Sequence, residues 1–378
     1  MLWIGLISGT SADAVDAALV RIGVEPRDTE LLAYLEVPLE ESLRGRIHGL
    51  AQGQVALREL VALDVELGER FSDAALAVIR KGGCAPDQVE GIGSHGQTVG
   101  HYPEPEVRGT LQIGSAAVLH ARTGIPVVAD FRSADMAAGG QGAPLTPFAH
   151  HVLFARDDEP RAVLNVGGFT NLSHLPDADP ERVVAFDPGP GNALLDRAAR
   201  AASDGKQRFD ADGAGARRGR VHSELLATLL DDPYFAMSPP KSTGHEHFDA
   251  GFFERACTAV EGSGGTPEDL LATLVELTVE SVARSAERFL PGAPRRWLVY
   301  GGGVRNGYLM ERLATRLAPA SVEVLDRHGV AAESFEALTF ALLGWCAARG
   351  RPSNLPAATG ANDAVVLGSA TPPGAFRA

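Results

Sequence analysis

The sequence is poor in cysteine and has no long apolar run. Its 378 residues include three cysteines, Cys84, Cys257 and Cys346, which are far apart and lack CxxC spacing. That number and spacing argue against a disulfide framework and a structural zinc site. The apolar start from Met1 to Ile7 lacks the basic residues of a signal peptide, and no segment has the ~20 apolar residues of a membrane-spanning helix. We therefore expect reduced thiols, no membrane partner and a cytoplasmic location.

Positive charge and two common nucleotide motifs are also missing. Lysine and arginine total 34 against 48 acidic residues, a formal charge of −14, which opposes binding to nucleic acid. Neither a Walker A loop nor GxGxxG occurs, because Lys241-Ser242-Thr243-Gly244 has no Gly-x4-Gly before it. We therefore expect no nucleic-acid partner and neither P-loop nor Rossmann chemistry.

Glycine, by contrast, is abundant, with 43 residues, and the length favours two domains. Each half opens with an apolar strand, a small polar turn and another strand, first at Leu2 to Ile22 and again at Ala162 to Leu172. Between them the pattern predicts a helix over 57–80 and a short strand ending near Gly93. Alternating strands and helices predict a duplicated α/β protein with a partly parallel sheet in each half.

The first turn is a candidate phosphate loop. Ser8-Gly9-Thr10-Ser11 supplies backbone N–H groups and hydroxyls directly after a strand, and such turns can surround anionic oxygens. Asp13 or Asp16 beside it could hold Mg²⁺, which prefers oxygen ligands and retained waters. The alternative is an ordinary hairpin turn that Asp13 only caps.

Two later turns have similar chemistry. The strand 183–186 leads into Asp187 and a predicted Pro/Gly turn running to Asn192, where the carboxylate could act as a general base or only satisfy its own backbone. Gly301-Gly302-Gly303 follows another apolar strand. Bare backbone there admits a planar ring such as adenine, although a plain strand-to-helix turn is the alternative.

Eight ordered blocks resemble the anhydro-N-acetylmuramic acid kinase family of the sugar kinase, Hsp70 and actin superfamily. The resemblance covers nearly the whole chain. The blocks are GLISGTSADAVDAAL from Gly5, GSHGQTVGHYP from Gly93, TLQIGSAAVLHARTGIPVVADFRSADMAAGGQGAPLTP from Thr110, LNVGGFTNLS from Leu164, AFDPGPGNALLD from Ala185, KSTGHEHF from Lys241, GGGVRN from Gly301 and NLPAATGA from Asn354.

The resemblance implies an α/β fold of two RNase H-like (actin-like ATPase) domains with a nucleotide cleft between them. We expect residues 1–135 and 136–378 to form these domains, with the extreme C-terminal segment returning to the first, and we expect a homodimer. ATP is the implied cofactor, with Mg²⁺ on Asp13. The implied nucleotide residues are Ser8, Gly9, Thr10, Ser11, Asp13, Asn165, Gly167, Gly168, Gly189, Gly191, Asn192, Gly301, Gly302 and Gly303.

Family members open the 1,6-anhydro bridge of the sugar with water and phosphorylate O6, giving N-acetylmuramic acid 6-phosphate in peptidoglycan recycling. In that scheme Asp187 is the catalytic base and Glu336 assists ring opening. Arg132 would pair with the lactyl carboxylate. The implied sugar-binding residues are His95, Gln97, Thr98, Asp130, Arg132 and Gly142.

The chain departs from the family pattern at three positions. Ala12 and Ala14 replace a larger apolar residue and a glycine, and Pro188 replaces a threonine. A lost glycine restricts positive φ, and a lost hydroxyl removes one possible contact. Two alternatives therefore stay open, a kinase of another small sugar or carboxylate and a non-catalytic actin-like nucleotide sensor.

Overall fold

A computed structural model describes residues 1–51, 53, 56–104, 106–244 and 246–376, with the side chain of Ala51 left out. These residues form two compact units, Met1–Leu153 with Gly329–Ala378, and Phe154–His328. All three cysteines are free thiols. Among the described helices, none combines the length and apolar content needed to cross a bilayer.

The strands, in chain order, form two separate sheets. Their bounds are β1 Leu2–Ser8, β2 Ala14–Ile22, β3 Thr29–Pro38, β4 Val89–Tyr102, β5 Gly109–Ile113, β6 Val127–Ala129, β7 Arg161–Val166, β8 Phe169–Leu175, β9 Val184–Pro190, β10 Arg296–Tyr300, β11 Ser321–Val324 and β12 Ser369–Thr371.

The helices surround these strands. Their bounds are α1 Glu41–Ala51, α2 Leu57–Lys81, α3 Ala116–Thr123, α4 Ser133–Ala137, α5 Thr146–Phe154, α6 Asn192–Ala202, α7 Ala214–Arg218, α8 Ser223–Leu230, α9 Pro233–Ala236, α10 Ala250–Gly262, α11 Pro267–Phe289, α12 Gly307–Arg316, α13 Phe335–Ala348 and α14 Pro356–Thr359.

The two sheets repeat one strand order. The first runs β12-β6-β4-β1-β2-β3, with β5 paired to β4, and the second runs β11-β10-β7-β8-β9. In each, three antiparallel strands are followed by parallel neighbours, β4 beside β1 and β10 beside β7. The predicted duplicated α/β architecture and its two opening hairpins are confirmed.

Two predicted strand ends are wrong. The strand predicted to end near Gly93 continues to Tyr102, so the block from Gly93 lies inside β4. The predicted turn after Asp187 is part of β9, which stays paired with β8 through Gly189 and Pro190. Because β9 is an edge strand, its prolines can lack an N–H without removing a ladder hydrogen bond.

Glycines in β1 and β4 let α13 lie directly on the first sheet. A Cβ on Gly5 would lie 1.7 Å from the Ala337 carbonyl oxygen, and one on Gly93 would lie 1.9 Å from that of Phe340. Such approach is open only to residues without a side chain. The glycines of β4 therefore permit helix packing and do not end the strand.

The boundary between the predicted domains, at residues 135 and 136, differs from the boundaries of the two compact units. Residues 136–153 and all residues from Gly329 onward belong with the first sheet. The reason is packing and pairing, since α13 contacts β1 and β4 while β12 pairs with β6. The nucleotide cleft expected from the sequence stays a prediction.

Candidate active site

The turn between β1 and β2 is held by a buried glutamine. The Ser8 hydroxyl donates to Gln97 Oε1 over 2.7 Å, and Gln97 Nε2 donates to the Gly9 carbonyl over 3.1 Å. Thr10 and Ser11 are exposed, and the Ser11 hydroxyl donates to Asp13 at 2.5 Å. Hydrogen bonds therefore fix the Ser8–Gly9 end of the turn, whereas Thr10 and Ser11 present exposed polar groups. Gln97, predicted to bind the sugar, is bonded to the predicted phosphate turn, and its role in sugar binding stays a prediction.

The two alanine departures have different consequences in this turn. Ala12 is buried with φ of 51°, a conformation that costs a non-glycine residue some strain. Ala14 lies in β2, opposite Pro38, where extended backbone suits any side chain. The missing glycine at position 14 therefore carries no backbone penalty.

Asp16 and Glu336 form an acidic pair in the first unit. Asp16 accepts a 2.5 Å hydrogen bond from the Tyr34 hydroxyl, and desolvation raises the pKa of Asp16. Desolvation also raises the pKa of Glu336, the Asp16 charge raises it further, and Arg132 opposes both effects. Each of these two carboxyl groups therefore holds a proton more readily than a free carboxyl group does. The sequence indicates Asp16 only as a possible metal ligand, because nothing in the residues around it shows that Glu336 lies nearby in the fold.

Arg132 is bonded to two other predicted sugar-binding residues, His95 and Gly142. Its Nε donates to His95 Nε2 over 3.0 Å and its Nη1 donates to the Gly142 carbonyl over 2.7 Å. Since Nε2 accepts, His95 carries its proton on Nδ1, which lies 3.0 Å from the Gly96 carbonyl. Desolvation, with the Arg132 charge, lowers the pKa of His95 to about 3. His95 is therefore a neutral support for the guanidinium.

Thr98 and Asp130 do not join this group. Thr98 accepts a 3.4 Å hydrogen bond from Gln112. Asp130 is exposed, has φ of 59°, and accepts from the Ser133 hydroxyl at 2.5 Å and from its N–H at 3.3 Å. Asp130 therefore caps the start of α4, and a role in sugar binding stays a prediction.

Asp187 lies in the middle of β9 with both carboxylate oxygens occupied. Asn171 Nδ2 donates to Oδ1 over 2.5 Å, and the Thr243 N–H donates to Oδ2 over 3.1 Å. The Asn165 side chain supports Asn171 through a 3.2 Å hydrogen bond. Desolvation raises the pKa of Asp187 to about 6, against the lowering effects of Asn171, Thr243 and Lys241. Such a carboxylate is mostly ionised at neutral pH and still basic enough to accept a proton.

Lys241 is a buried cation beside this base that the motif search did not select. Its ammonium lies 4.7, 5.0 and 5.8 Å from the ring centroids of Tyr234, Phe289 and Phe186. Burial lowers the pKa of Lys241 to about 8. Its carbonyl accepts from the Asp187 N–H over 3.0 Å. The block that contains Lys241 has no Walker motif, so the sequence gives no local indication that three aromatic rings surround the ammonium as a cage.

Several predicted nucleotide residues converge at the β7–β8 turn. Asn192 donates from its N–H to the Gly167 carbonyl over 2.8 Å and from Nδ2 to the Val166 carbonyl over 3.0 Å. The Gly191 N–H reaches the Gly168 carbonyl at 3.0 Å. Gly301 has φ of 86°, and a Cβ there would lie 2.3 Å from Asn165 Oδ1. This arrangement therefore needs glycine at position 301.

Gly189 is placed differently from these residues. Its N–H donates to the Thr170 hydroxyl over 3.1 Å. A Cβ at this position would lie 2.8 Å from the Phe235 ring. Gly189 therefore serves strand pairing and packing, and its predicted contact with nucleotide stays a prediction.

A pocket of about 180 Å³ opens beside Gly302 in the second unit. Phe209, 59% exposed, stands at this pocket, and Asn192 forms part of its lining. One planar aromatic face and bare glycine backbone suit a flat heterocycle. Sequence reasoning missed six lining residues because they lie outside the glycine motif: Leu195, Asp196, Phe209, Asp210, Arg305 and Asn306.

A larger cavity of about 660 Å³ lies between the end of α11 and the segments flanking β10, and its lining includes none of the predicted site residues. Within the part of the chain that the structure describes, no cluster of three or more His, Cys, Asp or Glu side chains could hold a metal ion. Asp13 as a Mg²⁺ ligand therefore stays a prediction.

The chain is similar to proteins of one family along its length. The family model described as anhydro-N-acetylmuramic acid kinase matches residues 1–373. A protein of that name from Xanthomonas campestris pv. campestris is 46% identical over 374 residues, covering 98% of this chain and 97% of the relative. One from Gloeobacter violaceus is 43% identical over 380 residues, covering 99% of each.

Solved structures show a more distant likeness. The activator of the 2-hydroxyisocaproyl-CoA dehydratase from Clostridium difficile is 12% identical, with a TM-score of 0.44 over 91% of this chain and 94% of that one. A ROK family glucokinase from Streptomyces griseus is 15% identical, with a TM-score of 0.40 over 91% and 99%.

Proposed function

Because the chain belongs to the anhydro-N-acetylmuramic acid kinase family, we propose that it is an ATP-dependent sugar kinase acting on anhydro-N-acetylmuramic acid. The enzyme opens the 1,6-anhydro bridge with water and phosphorylates O6, giving N-acetylmuramic acid 6-phosphate for peptidoglycan recycling. The observation that carries the proposal is Asp187, a carboxylate oriented by Asn171 and Thr243 and given a pKa of about 6 by burial.

In the proposed reaction Asp187 acts as general base toward water. A water proton moves to the carboxylate, the water oxygen bonds to C1 of the sugar, and the C1–O6 bond breaks. The released O6 attacks the γ-phosphorus of ATP, the bond from that phosphorus to the bridging oxygen breaks, and ADP leaves. Base catalysis of this kind contributes about 10²–10⁴-fold in rate, and phosphoryl transfer depends mainly on positioning and charge neutralisation.

The nucleotide residues follow from the two rigid turns. We assign the phosphates to the Ser8–Ser11 turn, which the Gln97 side chain braces. The purine is assigned to the pocket of Phe209 and Gly302. The β7–β8 turn with Asn192 forms the second phosphate contact. Backbone N–H groups at tight turns suit anionic oxygens.

Mg²⁺ would neutralise phosphate charge during the transfer. Asp13 is exposed and close to the Ser11 hydroxyl. One carboxylate with waters and phosphate oxygens is the donor set that Mg²⁺ takes in kinases. Asp13 is therefore the residue proposed to hold the ion.

The sugar residues are assigned from the group around Arg132. Its guanidinium is oriented by His95 and the Gly142 carbonyl and would pair with the lactyl carboxylate as a planar fork. Desolvation lowers the pKa of Arg132 to about 10, so the side chain stays cationic at neutral pH. Glu336, whose pKa is raised, would assist ring opening. A homodimer and a cytoplasmic location complete the proposal.

The test is turnover of anhydro-N-acetylmuramic acid with Mg²⁺-ATP, followed by ADP release and product mass. We expect a product heavier than the sugar by one phosphoryl group (HPO₃) and one water. A phosphorylated product without added water would contradict the coupled reaction. If other sugars of a panel cause ADP release and anhydro-N-acetylmuramic acid does not, the substrate assignment would be wrong and a kinase of another sugar would be favoured.

A further inference from the structure

Asp135 is a fully buried carboxylate in the first unit to which the proposed reaction gives no role. It lies on α4 and is 0% exposed. Its Oδ1 accepts from Asn354 Nδ2 and from the Thr359 hydroxyl, each over 2.7 Å, and its Oδ2 accepts from the Gly142 N–H over 2.8 Å. Burying a carboxylate is costly unless donors surround it. Here three donors converge on one side chain.

One of these donors leads directly to Arg132. The Gly142 N–H is held by Asp135, and the carbonyl of the same residue accepts from Arg132 Nη1 over 2.7 Å. Gly142 has φ of 70°, and a Cβ there would lie 2.8 Å from Met136 Cγ. Asp135 therefore fixes a glycine whose carbonyl orients the guanidinium.

The other donors come from the block NLPAATGA, whose residues the assigned site does not use. The backbone of the block and of the residue after it also bonds the same loop, because the Gln141 N–H donates to the Thr359 carbonyl and the Asn362 N–H donates to the Ala138 carbonyl, each over 2.8 Å. Asn354 is itself oriented by the Val365 N–H, which donates to its Oδ1 over 2.7 Å. The block thus anchors the loop 138–142 through Asp135.

We propose that Asp135 is a positioning residue for sugar recognition, which holds the 138–142 loop so that the Gly142 carbonyl fixes Arg132 for the lactyl carboxylate. The inference rests on the proposed function. Both oxygens of the side chain are needed as acceptors because all three partners donate. An asparagine would turn an NH₂ group toward one of these donors, so the Asp135→Asn change breaks the anchor with little change in volume.

The test compares Asp135→Asn with Asp64→Asn as matched control. Asp64 also accepts from a glycine N–H, that of Gly114, over 2.8 Å in the same unit, but it lies on α2 and takes part in neither of the hydrogen bonds that join Asp135, Gly142 and Arg132. Each enzyme is assayed with anhydro-N-acetylmuramic acid and with 1,6-anhydro-N-acetylglucosamine, which lacks the lactyl arm. Thermal melting and binding of a non-hydrolysable ATP analogue report folding.

We expect Asp135→Asn to raise KM for the lactyl sugar about tenfold, the effect of losing one hydrogen bond to a charged group. KM for the sugar without the lactyl arm and affinity for the ATP analogue should not change. Asp64→Asn should alter neither KM. An equal loss on both sugars, or an unchanged KM on the lactyl sugar, would overturn the inference.

Two further measurements test the proposal even if Asp135→Asn folds poorly or if the wild-type enzyme processes neither sugar. Thr359→Val removes one of the two Oδ1 bonds, and we expect the same sugar selectivity with about a threefold effect. Hydrogen exchange of the Arg132 Nε–H, assigned by its loss in Arg132→Lys, needs no substrate. It should be at least about tenfold faster in Asp135→Asn than in wild type or Asp64→Asn. Unchanged exchange would sink the positioning claim, whereas failure to process either sugar would count only against the proposed function.

Discussion

Asp187 lies on strand β9 of the second unit and Asp135 lies on helix α4 of the first, and the surroundings of the two aspartates differ. Asp187 is half-buried on an edge strand, with one side-chain and one backbone donor and a pKa raised to about 6. Asp135 is fully enclosed by three donors. The first arrangement leaves a carboxylate that can take up a proton, and the second uses a carboxylate to fix a loop.

The difference shows that hydrogen bonding and access, more than burial alone, decide what a buried carboxylate can do. For Asp187 the desolvation effect on the pKa outweighs the effect of its donors and leaves a basic carboxylate, whereas the three donors to Asp135 engage both of its oxygens and hold the loop. The changes below test this contrast, from the largest expected effect to the smallest.

Replacing Asp187 by asparagine should give the largest effect. We expect kcat to fall about 10²–10⁴-fold because the variant cannot accept the water proton, while affinity for an ATP analogue stays unchanged. Steady-state kinetics and calorimetry measure the two quantities. A variant that keeps more than about a tenth of the wild-type kcat would show that another group activates water.

Removing the Lys241 charge should move the pH profile. Because the ionised form of Asp187 is active, kcat/KM of the wild type should fall as the pH drops through about 6. Lys241 lowers the pKa of Asp187, so Lys241→Met should raise that pKa and shift the acidic limb about 0.5–1 pH unit upward.

Arg288→Gln is the matched control for this shift. Arg288 is an exposed cation near Lys241, and its charge is screened by solvent. We expect its removal to leave the acidic limb within about 0.2 pH unit of wild type. Equal shifts in the two variants would contradict a specific role for the caged ammonium.

Loss of the Gln97 side chain should weaken nucleotide binding. Gln97→Met would leave the buried Ser8 hydroxyl and the Gly9 carbonyl without these partners, so we expect KM for ATP to rise about five- to tenfold. Gln112→Met, which removes hydrogen bonds to Thr110 on the same strand and to Thr98 on β4, should have no such effect. A rise in KM for the sugar alone would support the sugar-binding role predicted for Gln97 and contradict its role in nucleotide binding.

Phe209 should show the smallest effect. Phe209→Ala removes the exposed ring at the pocket beside Gly302, and loss of one partly exposed stacking contact should raise KM for ATP about two- to fivefold. Met237→Ala, another exposed apolar side chain of the unit, is the control. The same KM for ATP in the two variants would show that the purine does not bind in this pocket.

The sequence predicts those parts of the molecule that depend on local patterns. Apolar runs joined by Ser8 to Asp13 specify the first hairpin, and helical spacing specifies α2, whose observed end at Lys81 lies one residue beyond the prediction. Pro188 and Gly93 were misleading, because an edge strand tolerates proline and a helix packed on the sheet requires glycine.

The parts of the candidate site that sequence reasoning missed depend on contacts between distant residues. Asp135 meets Thr359 across 224 positions of the chain, and the Lys241 cage joins rings from three segments. Periodicity and short motifs describe neighbours along the chain, so they cannot predict contacts between residues so far apart in the sequence. For the same reason Asp16 was considered only as a metal ligand and Phe209 was left out, since their neighbours Glu336 and Gly302 lie far along the chain.

The central claim is that Asp187 directs water to the sugar while phosphate moves to O6. It is tested most directly by a single turnover in ¹⁸O-labelled water, with the product analysed at once by mass spectrometry and fragmentation. The account predicts one ¹⁸O atom on C1 of N-acetylmuramic acid 6-phosphate and none in its phosphate. Label in free phosphate, or a sugar phosphate without label at C1, would contradict it.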